Sequence, residues 1–131
     1  MRILVDTQCW IWMLADPDRL GPVGRGIVAS YEHELLLSAA SAWEISIKYA
    51  LGKLTLPAPP LECVPALLAR SGVTGLPILH QHALRVVALP PIHRDPFDRV
   101  LVAQAQTEDL LLLTADRIFE RYDVKLLPAW T

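Results

Sequence analysis

The sequence predicts an α/β fold: a central parallel sheet of about five strands with helices on both faces. Three observations predict it. Short aliphatic runs alternate with longer amphipathic stretches along the whole chain. Those runs lack the apolar–polar alternation of a half-exposed sheet, as strands buried on both faces do. The 131 residues are 53% hydrophobic, which suffices for one full core and argues against disorder. No repeat, low-complexity tract or linker divides the chain, so residues 1–131 read as a single domain.

The elements follow in order. RILVD (2–6) is a buried strand ending in an acid, and TQCWIWMLAD continues as a helix that stops at DPD (16–18). GPVGRGIVASYEH (21–33) reads as a second helix, weakened by its glycines. ELLLS (34–38) is the second strand, and SAWEISIKYALGK (41–53) a helix ending near Gly52. LPAPP (56–60) is a proline-stiffened loop, followed by a short helix over 61–72, entered through or interrupted by Pro65. GLPILH (75–80) holds a third strand and QHALRVVAL (81–89) a helix. After the connection PPIHRDP come a helix over 96–106, the strand LLLLT (110–114), a short helix over 116–122 and a last strand, VKLLPA (124–129).

Bulk properties exclude several classes. The net charge is −2, so nucleic acid would have to be met by local basic groups or a metal rather than by the overall field. The two cysteines, Cys9 and Cys63, have no metal spacing and read as buried thiols in a reducing compartment. Asp6 interrupts the N-terminal apolar stretch, no signal-cleavage pattern follows, and LLLL (110–113) is too short to span a bilayer. A cytoplasmic protein with no membrane segment is expected. The high apolar fraction leaves surface for contact with another chain.

In a fold of this class, ligands sit beyond the carboxyl ends of the strands. Four acids map there: Asp6 at the end of the first strand, Glu44 after the second, Asp98 opening the helix that leads to LLLLT, and Asp116 just after that strand. Each has an ordinary explanation. Asp116 suits an N-cap, and Glu44 lies three residues after Ser41, a capping-box spacing, and four before Lys48. Asp95, followed by Pro96, is a good N-cap and is assigned that role. Asp98 is different, because helical spacing aligns it with Leu101, Val102 and Ala105 on the core-facing stripe. An inward carboxylate is costly unless something positive meets it. Converging carboxylates are reconciled by a hard divalent cation such as Mg²⁺ or Mn²⁺, and such sites serve phosphate chemistry. Thr7 and Thr114 flank the strand-end acids, either as orienting groups or as turn and cap hydroxyls.

Among the basic residues near these acids, Arg94, Arg99, Arg117 and Arg121, we single out Arg99 and Arg117 as phosphate contacts, the alternative being solvated helix faces. His80 and His82 face different ways on a helix, while His33 and His93 lie in connections, so a histidine-rich zinc site is not expected. Trp10, Trp12 and Trp43 read as core or interface residues, with Trp43, beside Glu44, also a candidate base-stacking surface.

The segments ILVDTQ, SAASAWEISIKYALGKLTLP, HRDPFDRVLVAQA and LLLTADRIFERYDVKLL, in this order, resemble PIN-domain ribonucleases, and within them the VapC-type toxins of toxin–antitoxin pairs. The resemblance implies a PIN-like fold and Mg²⁺- or Mn²⁺-dependent cleavage of RNA, with Asp6, Glu44, Asp98 and Asp116 at the family's four acidic positions. Asp6, Asp98 and Asp116 would hold one or two ions. Glu44 would be a further ligand or orient the attacking water, and the product would carry a 5′-phosphate. Thr7 and Thr114 would position the site. Arg99 would contact substrate or pair with an acid. The resemblance further implies a homodimer that inhibits translation and growth, neutralised by a VapB-type antitoxin lying over the groove. Rivals fit less well: a haloacid-dehalogenase-like phosphatase needs an acid where Gln8 stands, and a response-regulator receiver needs a lysine after a late strand, where LLLLTADR offers Asp116 instead. A catalytically dead PIN-like binding module is the rival of a different class.

Overall fold

The computed structural model describes residues 1–130. Five strands, β1 (Arg2–Val5), β2 (Glu34–Ser38), β3 (Val73–Leu76), β4 (Leu111–Thr114) and β5 (Lys125–Pro128), form one sheet in the order β3-β2-β1-β4-β5. Every pairing is parallel. The order reverses at β1, so the carboxyl ends of β1 and β4 flank a topological switch point, where folds of this class bind ligands.

Alternate residues of the strands feed two cores. Ile3, Val5, Leu35, Leu37 and Leu113 pack on one face with Trp10, Leu20 and Ile45. Leu4, Leu36 and Leu112 pack on the other with Leu101, Val102 and Phe119. Both faces are therefore dry, which is why the strand sequences lost their alternation. Each fully buried Leu or Ile contributes about 1.5–3 kcal/mol relative to exposure.

The first core is closed by the helices α1 (Thr7–Ala15), α2 (Gly21–Ala29), α3 (Ala39–Ala50) and α4 (Pro60–Ser71), with a 3₁₀ turn over Pro17–Leu20. The second lies under α6 (Pro96–Glu108), with α5 (His80–Arg85) packed against α6 and 3₁₀ turns at Val86–Ala88 and Arg117–Arg121. Among the described residues no helix is long and apolar enough to cross a membrane. Cys9 and Cys63 are buried free thiols, and burial together with the charge of Asp6 pushes the Cys9 thiol up to about 12.

Several expectations are corrected. Helix α2 stops at Ala29 instead of running to residue 33, because Ser30 is extended and its hydroxyl accepts from the Glu32 N–H at 3.2 Å. Helix α3 begins at Ala39, two residues before the expected start, because Ser38 is the N-cap, its Oγ accepting from Ala40 N at 3.0 Å. Helix α4 starts at Pro60 and runs through Pro65 without a break. It ends on Gly72, whose φ of 69° lies in the left-handed region that glycine adopts without strain. The chain enters β3 immediately afterwards, so the third strand is Val73–Leu76 and not 75–80; Pro77 cannot donate to a ladder.

Candidate active site

A cleft of about 570 Å³ opens at the switch point, lined by Asp6, Thr7, Gln8, Ile11, Trp12, Glu44, Lys48, Asp95, Asp98, Ala115, Asp116 and Arg117. The sheet and its crossovers explain the convergence. Asp6 follows β1 directly, and its N–H bonds to Leu113 O at 2.9 Å, which ties it to β4. Asp6 occupies the N-cap position of α1, yet its side chain makes no capping bond. Its Oδ2 instead accepts from Thr114 Oγ1 at 2.7 Å, and Thr114 Oγ1 in turn accepts from Asp116 N at 3.0 Å. One buried hydroxyl thus braces the acids that follow two neighbouring strands.

Glu44 projects from α3 and pairs with Lys48 Nζ at 2.9 Å, the expected i, i+4 partner. The capping-box role for Ser41 and Glu44 is not observed. Ser41 lies inside α3, and its Oγ accepts from Thr7 Oγ1 at 2.7 Å, joining the start of α1 to α3 beneath the cleft. Asp95 caps α6 as expected, accepting from Phe97 N at 2.9 Å and Asp98 N at 3.3 Å, with Pro96 at the first helical position. Asp98 faces inward, and its Oδ2 lies 2.7 Å from His93 Nε2. Asp116 caps the following 3₁₀ turn through Ile118 N at 3.0 Å while still lining the cleft, so its two candidate roles coexist.

The electrostatics are unbalanced. Five acids and two cations line the cleft. Burial pushes the Asp6 carboxyl up to about 6, opposed by the Thr114 hydroxyl and reinforced by the charges of Glu44 and Asp116. Burial pushes Asp98 up to about 7, with the charges of Asp6 and Asp95 acting the same way and His93 opposing. Lys48 is raised above its ordinary value, mainly by its hydrogen bond to Glu44. Carboxyls pushed up by burial and by one another form a site that lacks positive charge.

The PIN domain family model matches residues 3–125. The chain belongs to the PIN domain family. Its sequence is 48% identical over 58 residues to Ribonuclease VapC16 of Mycobacterium tuberculosis, a match covering 44% of this chain and 41% of that protein. The chain therefore matches less than half the length of that relative. Among solved structures, the PIN domain resembles VapBC2 from Rickettsia felis bound to a promoter DNA fragment, with 14% identity, a TM-score of 0.74 and 98% of each chain covered. It also resembles VapBC-1 from nontypeable Haemophilus influenzae, with 19% identity, a TM-score of 0.66 and 100% of each chain covered. At these identities the structural likeness speaks for the fold.

Within this PIN domain, Asp6, Glu44, Asp98, Asp116, Thr7 and Arg117 share one cleft, with Thr114 buried beneath it. Arg99 does not line it. Its guanidinium donates to Pro90 O at 3.0 Å, Val86 O at 3.1 Å, and His93 O and Tyr122 Oη at 3.4 Å. The expected pairing of Arg99 with an acid is not observed; it clamps the 86–93 connection. Arg117 stands at the rim, its guanidinium 4.7 Å from the centre of the Trp130 ring. Trp43 is 62% exposed and meets Phe97 edge-to-face at 5.2 Å. Sequence reasoning missed His93, which it left in a connection. The available signal was its position five residues before Asp98, within reach around the Asp95 cap.

Proposed function

We propose that the chain is a Mg²⁺- or Mn²⁺-dependent endoribonuclease. The observation that carries this is the convergence of Asp6, Glu44, Asp98 and Asp116 on one cleft with too little positive charge to balance them. The donor set fits a hard divalent cation: the groups are carboxylate oxygens, and two of them are raised by burial and mutual repulsion, a cost that a cation removes. When bound, such a cation polarises a phosphodiester and activates water for in-line attack. The name of the matched relative, a ribonuclease, supports RNA as the substrate.

The roles of the side chains follow. Asp6, Asp98 and Asp116 hold the cation. Thr114 fixes the Oδ2 of Asp6, which leaves its other oxygen for the ion. Glu44, oriented by Lys48, is a further ligand or accepts a proton from the attacking water. Thr7 keeps α1 and α3 in register through Ser41. Arg117 at the rim meets the phosphate backbone of the substrate. The proposal includes the biological setting: a cytoplasmic toxin that inhibits translation and growth, working as a homodimer and neutralised by a VapB-type antitoxin. The VapBC complexes among the similar structures support the antitoxin. Exposed apolar side chains such as Trp43, Leu61 and Leu84 leave surface for a second chain.

The test is cleavage of a mixed RNA pool by purified, antitoxin-free protein, with Mg²⁺ or Mn²⁺ against EDTA. Asp6→Asn and Asp98→Asn are compared with wild type. Metal-dependent cutting abolished by both substitutions supports the proposal. Folded protein that binds no Mn²⁺ and cuts nothing refutes it in favour of a PIN module that only binds a partner.

A further inference from the structure

We propose that His93 is a direct ligand of the cation, giving the cleft a mixed nitrogen–oxygen site that prefers Mn²⁺ over Mg²⁺. The inference rests on the divalent-metal reading above and adds to it a ligand outside the four acids.

Among the described residues, one group of ligand-type side chains is close enough to share an ion: His93, Asp98 and Asp116, whose donor atoms all lie within 4.8 Å of one another. Asp6 and Glu44 line the same cleft but stand outside this group. Bonds of ~2.1 Å place adjacent donors of a six-coordinate ion ~3 Å apart and opposite donors ~4.2 Å apart. His93 Nε2 and Asp98 Oδ2 share a hydrogen bond at 2.7 Å, close to that adjacent spacing, so an ion would take the place of the proton between them and release it to solvent.

The backbone that carries the imidazole is also held independently of Asp98. His93 N donates to Tyr122 Oη at 2.7 Å, and His93 O accepts from Arg99 Nη1 at 3.4 Å. Its ring meets Phe119 edge-on, with centroids 6.2 Å apart. Arg99 therefore acts on the site at one remove, by fixing the segment that carries the histidine. A ligand whose backbone is held this way loses little freedom on binding. An imidazole nitrogen strengthens a site for transition metals far more than for Mg²⁺, which favours oxygen donors and retained waters.

The test uses Mn²⁺ alone, without RNA. Pulsed electron paramagnetic resonance of Mn²⁺ on wild-type protein, with and without ¹⁵N-labelled histidine, should show coupling to one histidine nitrogen. His93→Gln should abolish that coupling. In calorimetric titrations it should weaken Mn²⁺ binding about tenfold or more while changing Mg²⁺ binding less than about threefold. His93→Asp restores an oxygen donor and should bind Mn²⁺ with no nitrogen signal and a shifted preference toward Mg²⁺. Mn²⁺ bound without nitrogen coupling, or equal weakening of both cations in His93→Gln, overturns His93 as a ligand and leaves the metal reading standing. A wild-type protein that binds no Mn²⁺ overturns both. If the variants fail to fold, the wild-type spectrum with labelled histidine decides alone.

Discussion

Replacing Asp6 by Asn should stabilise the metal-free protein at neutral pH. In the folded chain Asp6 is buried and its carboxyl is raised from 3.8 to about 6, chiefly by burial. The unfolded chain releases its proton near the ordinary value, so between these two values the folded state binds more protons. Stability therefore falls as pH rises through this window, and the penalty is complete above the folded value. At about 1.4 kcal/mol per unit, ionised Asp6 costs on the order of 3 kcal/mol at pH 7.5 and well under about 1 kcal/mol at pH 4. Asparagine retains an oxygen to accept from Thr114 Oγ1 but brings an amide that needs partners of its own, a loss of about 1 kcal/mol. The expected outcome, in urea unfolding with EDTA, is a variant more stable than wild type by about 1–3 kcal/mol at pH 7.5. That advantage should vanish or reverse at pH 4. Saturating Mn²⁺ should then favour wild type, since only it retains the full ligand set. Equal destabilisation of Asp6→Asn at both pH values would refute the claim that this carboxylate is held against its solvation preference.

Other outcomes follow from the same geometry. Thr114→Val removes the hydroxyl that bonds Asp6 and Asp116; it should lower stability by about 1–3 kcal/mol in urea unfolding and weaken Mn²⁺ binding measured by calorimetry. Arg99→Lys should cost about 1–2 kcal/mol, because one ammonium cannot serve the four acceptors of the guanidinium, yet leave the salt dependence of RNA binding unchanged. Arg117→Gln should do the opposite: little effect on the melting temperature, and a salt slope of RNA affinity reduced by about 0.7 for the lost phosphate contact. Gly72→Ala forces a side chain into a backbone of φ 69° and should destabilise by about 1 kcal/mol in thermal unfolding, although nothing lies within 4 Å of the added carbon.

Strands and acids were legible in the sequence because they carry strong, local signals. Runs such as ILV and LLL can only be buried strands at that length, and an acid at the end of such a run stands out. Asp98 was legible because helical spacing put it in line with Leu101 and Val102, which are fully buried. The start of α3 was not, since Ser38 and Ser41 are both competent caps and only the strand end decides between them. The position of β3 depended on Gly72 turning the chain within one residue, where the expected strand began only at residue 75. Arg99 looked like a free cation because its acceptors are main-chain carbonyls, which no side-chain pattern reveals. His93 was obscured in the same way: its value lies in the contacts of its backbone with Tyr122 and Arg99, which arise only when residues 86–93 fold back over α6.

The hydroxyl bridge from Thr114 to Asp6 joins residues 108 positions apart. A chain emerging from the ribosome displays Asp6 first, long before β4 with Thr114 and then Asp116 follow. Until that late segment emerges and pairs with β1, the acids are scattered along an unfinished sheet. Domains fold as units during synthesis, so the cleft takes shape only once β4 has emerged and paired with β1.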